Sequence, residues 1–174
     1  MVRASVRLAT VADLDLLVRH RRSMFESIAT FSNRDLDAAD PVYRRWARTR
    51  LRSEQLAGFI VECAGLPVAS GCAWIMDVQP HPGRRGTDVV YLLSMFTEPD
   101  HRGEGHATRI VRAAMRWAKG RGIPLVVLHA SELGESVYRR LGFERTREMR
   151  RSLVPAPPRS ARSSRKTARR AKRS

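Results

Sequence analysis

The order in which helical and strand-like spacings follow one another predicts a mixed α/β domain. Its sheet is expected to be mostly antiparallel, with a central parallel pair formed by residues 89–97 and 124–130 and about four flanking helices. Three observations support this: apolar residues recur at helical spacing in separate stretches; short apolar runs bounded by Gly, Pro and Asp stand between them; and one long helical stretch separates two of those runs. A strand, a helix and a second buried strand form a right-handed crossover, which makes residues 89–97 and 124–130 parallel. No repeat with a period of 20–50 residues is visible.

Each element has its own local reason. Ser5 to Leu8 can form a short strand, and Thr10 then stands as a helix N-cap with Asp13 in the first turn, where the helix dipole favours an acid. That helix is expected to run to about Ala29, burying Leu14, Leu17, Val18, Met24, Phe25 and Ile28. Asp40-Pro41 reads as a second start, with Pro at the first helical position and Tyr43, Trp46, Ala47 and Leu51 on the buried side, ending near Arg52. Strands follow over Leu56–Cys63, Pro67–Val78 and Val89–Thr97, with a turn at Ala64-Gly65 and a Pro/Gly/Arg loop from Gln79 to Asp88. Gly105 to Arg121 returns to helical spacing, and Pro124–Leu128 is an apolar strand. A short helix from Glu132 to Leu141, capped by Ser131 and stopped by Gly142 with Phe143 closing the cap, precedes a last strand over Glu144–Val154.

Composition bounds the rest. The 174 residues contain enough apolar material for one core, and no run approaches the roughly 18 apolar residues of a membrane span. No signal-peptide-like stretch opens the chain, so a cytoplasmic location is expected. Lys plus Arg number 33 against 17 Asp plus Glu. Residues 155–174 hold eight basic residues and no acid, whereas residues 1–154 hold 25 basic and 17 acidic residues. Pro, Ser, Ala and basic side chains bury too little to offset ordering entropy, so 1–154 is read as the domain and 155–174 as a disordered basic tail. Such a tail fits nonspecific, salt-sensitive nucleic-acid binding, or a plain solubilising extension. Cys63 and Cys72 are expected as reduced thiols. His20, His81, His101, His106 and His129 show no Cys or His partners at ligand spacing, and no metal is expected.

The segment Arg102-Gly103-Glu104-Gly105-His106-Ala107 follows a strand and opens a helix. Glycines let a backbone approach a ligand closely, and free amides at a helix N-terminus favour an anion. Position 108 is Thr108, so the dinucleotide fingerprint with its third glycine is absent, as is the Gly-Lys-Ser/Thr ending of a Walker loop. Some 30 residues later comes Ser131-Glu-Leu-Gly134-Glu-Ser-Val-Tyr138-Arg-Arg-Leu141-Gly142-Phe143.

Together these two segments resemble the GNAT superfamily of N-acetyltransferases, over roughly residues 1–153. The resemblance implies acetyl-CoA as cosubstrate, its pyrophosphate held by amides from Gly103 through Ala107 and Thr108, with Arg102, Glu104, Gly105 and His106 within the same motif. It also implies that the strand end Met95-Phe96-Thr97 pairs with the pantetheine arm, and that Tyr138 donates a proton to the departing thiolate. Ser131 falls where relatives usually carry an Asn that contacts the coenzyme arm. Glu104 is tolerable beside a pyrophosphate if its side chain turns away. Relatives that acetylate protein N-termini commonly carry a basic Glu at the position of Val126, so the general base is open here. His129 is one candidate, Glu98, Asp77, Tyr91 and Glu26 are others, and proton removal through water is an equal alternative.

The expected activity is acetyl transfer to a primary amine of a small molecule or peptide, directly within a ternary complex. The alternative is a non-catalytic acyl-CoA-binding module whose tail docks on nucleic acid or ribosomes. No membrane partner is expected, and homodimers are common among such proteins. The amine is expected to enter across the first two helices and the loop 79–88, with Asp35, Asp37 and Asp40 as a candidate acidic rim.

Overall fold

The computed structural model describes residues 4–28, 31–84 and 86–153. The expectation of a disordered tail at 155–174 lies outside them. Two units are distinguished, residues 1–143 and 144–174.

The first unit carries one five-stranded sheet in the order β1 (Ser5–Leu8), β2 (Leu56–Cys63), β3 (Leu66–Asp77), β4 (Asp88–Thr97) and β5 (Val126–Leu128). The first four strands are antiparallel neighbours and β4 pairs parallel to β5, as the crossover requires. Among the described residues four helices accompany it: α1 (Leu14–Ile28), α2 (Asn33–Arg52), α3 (His106–Gly120) and α4 (Glu135–Arg140). Ile110, Val111, Ala114 and Ala118 of α3 pack with Phe59 and Val90 in one apolar cluster. Leu14 and Leu17 of α1 and Tyr43 and Ala47 of α2 form a second cluster with Leu56 and Cys72.

Local chemistry accounts for most boundaries. Thr10 caps a 3-10 turn over Val11–Asp13 that leads into α1, and Asp13 returns the bond to the Thr10 amide at 2.8 Å, completing a capping box. The Arg7 guanidinium bonds both Asp13 and Glu62 at 2.7 Å, which ties β1 to β2 and holds the Asp13 carboxyl down at about 2. The Ala64-Gly65 turn forms with both residues at positive φ. Past α4, Gly142 adopts φ +86°, the Phe143 amide bonds the Tyr138 carbonyl at 3.1 Å, and the Phe143 ring packs edge-on against Tyr138.

Three expectations are corrected. Helix α2 begins at Asn33, not Pro41, because Ser32 and Asp35 form a second capping box eight residues upstream of Asp40 and Leu36 is buried. Pro41 therefore sits inside the helix, where it removes one backbone bond. Ion pairs from Arg22 to Asp37 at 2.7 Å and Asp40 at 2.9 Å hold that stretch against α1. The short helix starts at Glu135 and not at Glu132; Ser131 Oγ accepts from the Gly134 amide at 3.2 Å within the preceding turn. Residues 144–153 of the second unit form no strand. Six of those ten residues are charged, and Met149 and Leu153 are almost fully exposed, so the segment has no apolar face to bury.

One irregularity positions the site. In the β3–β4 ladder Ser70 pairs with Phe96 and Cys72 with Leu93, so Gly71 alone faces both Ser94 and Met95. This is a β-bulge, and Ser94 takes φ +54° there, a conformation unusual for a residue with a side chain. Gly71 has no side chain because Met95 Sδ crosses that space and Ile110 Cγ2 lies 2.9 Å from where a Cβ would stand. Gly71→Ala is expected to destabilise the domain by about 1–3 kcal/mol through overpacking, read as a lower midpoint in chemical denaturation. An unchanged midpoint would mean that the bulge yields freely.

Candidate functional site

The site grows from where the β4–β5 ladder stops. Only Val90, Tyr91 and Leu92 pair with β5, opposite Val126, Val127 and Leu128. From Leu93 to Thr97, β4 has no strand partner on that side among the described residues, while Phe96 and Thr97 keep their pairing with β3. A strand held on one edge and open on the other offers peptide groups to an extended ligand.

At the far end of that edge stands the glycine loop. Pro99–His101 forms a 3-10 turn, and Arg102 Nε donates back to the Thr97 carbonyl at 3.2 Å. The Arg102 side chain thus fastens the loop to β4 and leaves anion contacts to the backbone. Gly103 and Gly105 both adopt left-handed conformations, φ +83° and +78°, with open space where a Cβ would point. The first bond of α3 runs from the Arg109 amide to the Gly105 carbonyl at 3.1 Å, so the amides of His106, Ala107 and Thr108 precede the ladder and face out of the helix end. Glu104 does turn aside: its Oε2 lies 3.0 Å from His106 Nε2 and 3.5 Å from His101 Nδ1. The buried His106 side chain therefore does not reach outward, and only its amide faces the helix end.

Of the strand residues, Met95 packs against the core cluster and Phe96 is buried against the His20 ring, so here too the backbone is what remains for a ligand. Tyr138 is 9% exposed on α4. Burial pushes its phenol above the usual value, so it is protonated near neutral pH.

His129 is exposed, directly after the last residue of β5, and its Nδ1 is hydrogen-bonded to the Tyr91 hydroxyl. Two of the candidate bases thus meet at the fork where the strands part. Glu98 belongs to another group: its carboxylate lies 3.3 Å from Nε2 of the fully buried His20, whose Nδ1 is 2.9 Å from Ser70 Oγ. Asp37 and Asp40 are engaged with Arg22, and Asp35 serves the Ser32 capping box, so these acids do not form a free rim. Cys72 is buried, with its thiol pushed up to about 11, and is no nucleophile at neutral pH.

Two features were not foreseen. His20 follows Leu17 by one helical turn, and only that placement on the apolar face signalled its burial. The histidines lack metal-ligand spacing along the sequence, yet the fold brings His101, Glu104 and His106 together with Cys63 from β2. A cavity of about 520 Å³ lies elsewhere, lined by Arg112, Met115, Ile123 and Leu141 among others, and no residue of the glycine loop borders it.

The sheet forks at its fourth strand, and the open edge ends at a glycine loop and a helix N-terminus whose backbone amides are free. The sequence model of the Acetyltransferase (GNAT) family matches residues 20–143, and the chain belongs to that family. It is 30% identical over 111 residues to an uncharacterized N-acetyltransferase of Methanocaldococcus jannaschii. That match covers 58% of this chain and 46% of the relative, about half its length. A GCN5-related N-acetyltransferase from Ralstonia eutropha superposes with a TM-score of 0.81 at 30% identity, covering 87% of this chain and 99% of the other. A predicted acetyltransferase from Clostridium acetobutylicum, solved with acetyl-CoA, gives 0.79 at 29% identity, covering 86% and 96%. No helix among the described residues is long and apolar enough to cross a membrane.

The buried His20 implies a pH dependence. Burial lowers its pKa from 6.5, opposed in part by Glu98 and reinforced by Arg19. The unfolded chain therefore binds the extra proton more readily, so this contribution to stability is complete above about pH 6.5 and is lost as pH falls towards the folded value. The melting temperature is expected to fall between about pH 7.5 and pH 5.5 in the native protein, and less steeply in His20→Gln. Equal slopes would show that His20 does not govern acid stability.

Proposed function

We propose that this chain is a cytoplasmic enzyme that transfers the acetyl group of acetyl-CoA to a primary amine, by direct attack within a ternary complex. The observation that carries this reading is the continuity between the open edge of β4 at Leu93–Thr97 and the amides of the loop from Gly103 to Thr108. The pyrophosphate fits the loop, where both left-handed glycines leave their outer face clear. The pantetheine amides fit the backbone of Met95, Phe96 and Thr97, with Ser131 as a further polar neighbour. This directs the thioester towards the Ser94 bulge and the fork.

There the amine attacks the thioester carbonyl, a C–N bond forms and the C–S bond breaks. The thiolate leaves with a proton from Tyr138, and the attacking nitrogen gives up a proton to His129, whose ring is held by Tyr91. Burial keeps Tyr138 protonated, and exposure lets His129 return its proton to solvent. The neutralised Cys72 supports direct transfer over a cysteine-bound acetyl intermediate. The acceptor is a small-molecule or peptide amine. The engagement of Asp35, Asp37 and Asp40 argues against a polycation drawn in by those acids.

The first test is thermal. Acetyl-CoA at about 100 times its dissociation constant is expected to add about 2.7 kcal/mol of stability. Gly105→Glu should abolish that increment, because the added carboxylate occupies the anion site, at a local strain of about 1–2 kcal/mol for its left-handed backbone. Equal stabilisation of both proteins would refute the loop assignment.

Tyr138→Phe is expected to lower kcat by about 100-fold or more while coenzyme affinity stays within about twofold. A kcat that does not move would remove Tyr138 from the acid role. Coenzyme binding without thiol release for any amine tried would point instead to the acyl-CoA-binding module.

A further inference from the structure

Four side chains from four pieces of chain meet beside the glycine loop. Cys63 ends β2, His101 ends the 3-10 turn after β4, Glu104 stands between the two left-handed glycines and His106 opens α3. Their ligand atoms all lie within 4.8 Å of one another. We infer that these four residues form a tetrahedral binding site for a divalent ion of the zinc class, which staples the phosphate-binding loop to the end of β2.

The spacing supports this first. Zinc bonds of about 2.0–2.3 Å to nitrogen, oxygen and sulfur place neighbouring ligand atoms of a tetrahedron roughly 3.3–3.8 Å apart. Here Glu104 Oε2 is 3.0 Å from His106 Nε2 and 3.5 Å from His101 Nδ1, and Cys63 Sγ is 3.9 Å from His106 Nε2. The half-buried Cys63 and His101 and the exposed Glu104 have room to adjust their rotamers, while the buried His106 is held by its place in α3. The donor set supports it next. One thiol, two imidazoles and one carboxylate suit a borderline-soft ion, and a hard ion such as magnesium or calcium would favour oxygen ligands throughout.

The same residues could instead be read as a Cys-His-Glu nucleophilic triad, and the geometry refuses it. A triad needs the thiol and the carboxylate on opposite nitrogens of the histidine, so that one bond orients the ring while the other takes the proton. Here Cys63 and Glu104 both address Nε2, and Nδ1 of His106 has no hydrogen-bond partner. The groups converge on a point. Nδ1 of His101 also aims at this point, and it is a buried nitrogen with no hydrogen-bond partner. A buried nitrogen left without a hydrogen bond is unfavourable, and a metal bond would give it a partner.

The consequence lies in where the ligands sit. Glu104 and His106 flank Gly105 inside the loop, so an ion bound to them fixes the backbone whose amides face outward. The site rests on its own side chains and does not require the acetyltransferase reading.

The experiment uses the full-length protein, stripped with a chelator and titrated with Co²⁺ in the absence of coenzyme. The expected result is one equivalent bound, with the visible absorption of tetrahedral cobalt and a near-ultraviolet sulfur-to-cobalt charge-transfer band, both displaced by Zn²⁺. Cys63→Ser should abolish the charge-transfer band. Glu104→Gln, whose side chain is exposed and whose folding is checked by circular dichroism, should keep that band and weaken Zn²⁺ by more than the roughly 10- to 100-fold that loss of an outer-shell partner costs. No charge-transfer band in the native protein, its persistence in Cys63→Ser, or unchanged zinc affinity in Glu104→Gln would each overturn the site.

Discussion

The structure turns on the place where β4 and β5 cease to pair. Backbone amides and carbonyls removed from water need partners, and a sheet ordinarily supplies them along the whole strand. Here β5 is three residues long and β4 is ten, so the ladder runs out after Leu92 and Leu128. Beyond that point β4 remains extended because β3 holds its other edge at Phe96 and Thr97. The bulge at Ser94 is tolerated for the same reason. Met95 crosses the space left by Gly71 and packs into the core, so the strained residue is braced on the side away from the fork.

The helices act as supports for that edge. Helix α3 contributes Ile110 and Val111 to the core beneath the bulge, and its N-terminus ends the edge with free amides. Helix α1 reaches the end of β4 through His20, which links Ser70 of β3 to Glu98 immediately after the strand. A buried neutral imidazole between a hydroxyl and a carboxylate is a short-range tie and contributes little to the far field. The arginines and lysine along α3, Arg109, Arg112, Arg116 and Lys119, lie on its exposed face, which is the solvated position that amphipathic spacing predicts.

Much of this was legible in the sequence, and what was not has a common cause. The strand over 56–63, the turn at Ala64-Gly65, the Thr10 cap and the Gly142-Phe143 stop follow from neighbours within a few positions, and the parallel pair follows from the order strand, helix, strand. Helix α2 was placed late because Asp40-Pro41 is a stronger local start signal than Ser32-Asn-Arg-Asp35. The earlier box forms because Leu36 finds the core and Arg22, from another helix, neutralises Asp37 and Asp40. The strand expected at Glu144–Val154 does not form over the described residues 144–153, which offer no apolar face to bury. The His20–Ser70 contact spans 50 positions and the Cys63–His106 contact 43, and no periodicity of one element encodes such a meeting.

Glu104 shows how a local conflict becomes a feature of the fold. An acid between two glycines of an anion-binding loop is unfavourable if its charge shares the side of the outward amides. Paired left-handed turns at Gly103 and Gly105 reverse the chain twice within three residues. The carboxylate ends against His106 and His101, and the outer face of each glycine stays clear. The glycines thus serve two ends at once: they leave open space where Cβ atoms would point, and they send the intervening charge to a place where imidazoles can meet it. A second acid-bearing position in the loop would have no such outlet, because Gly103 and Gly105 must both stay left-handed for the first one to leave.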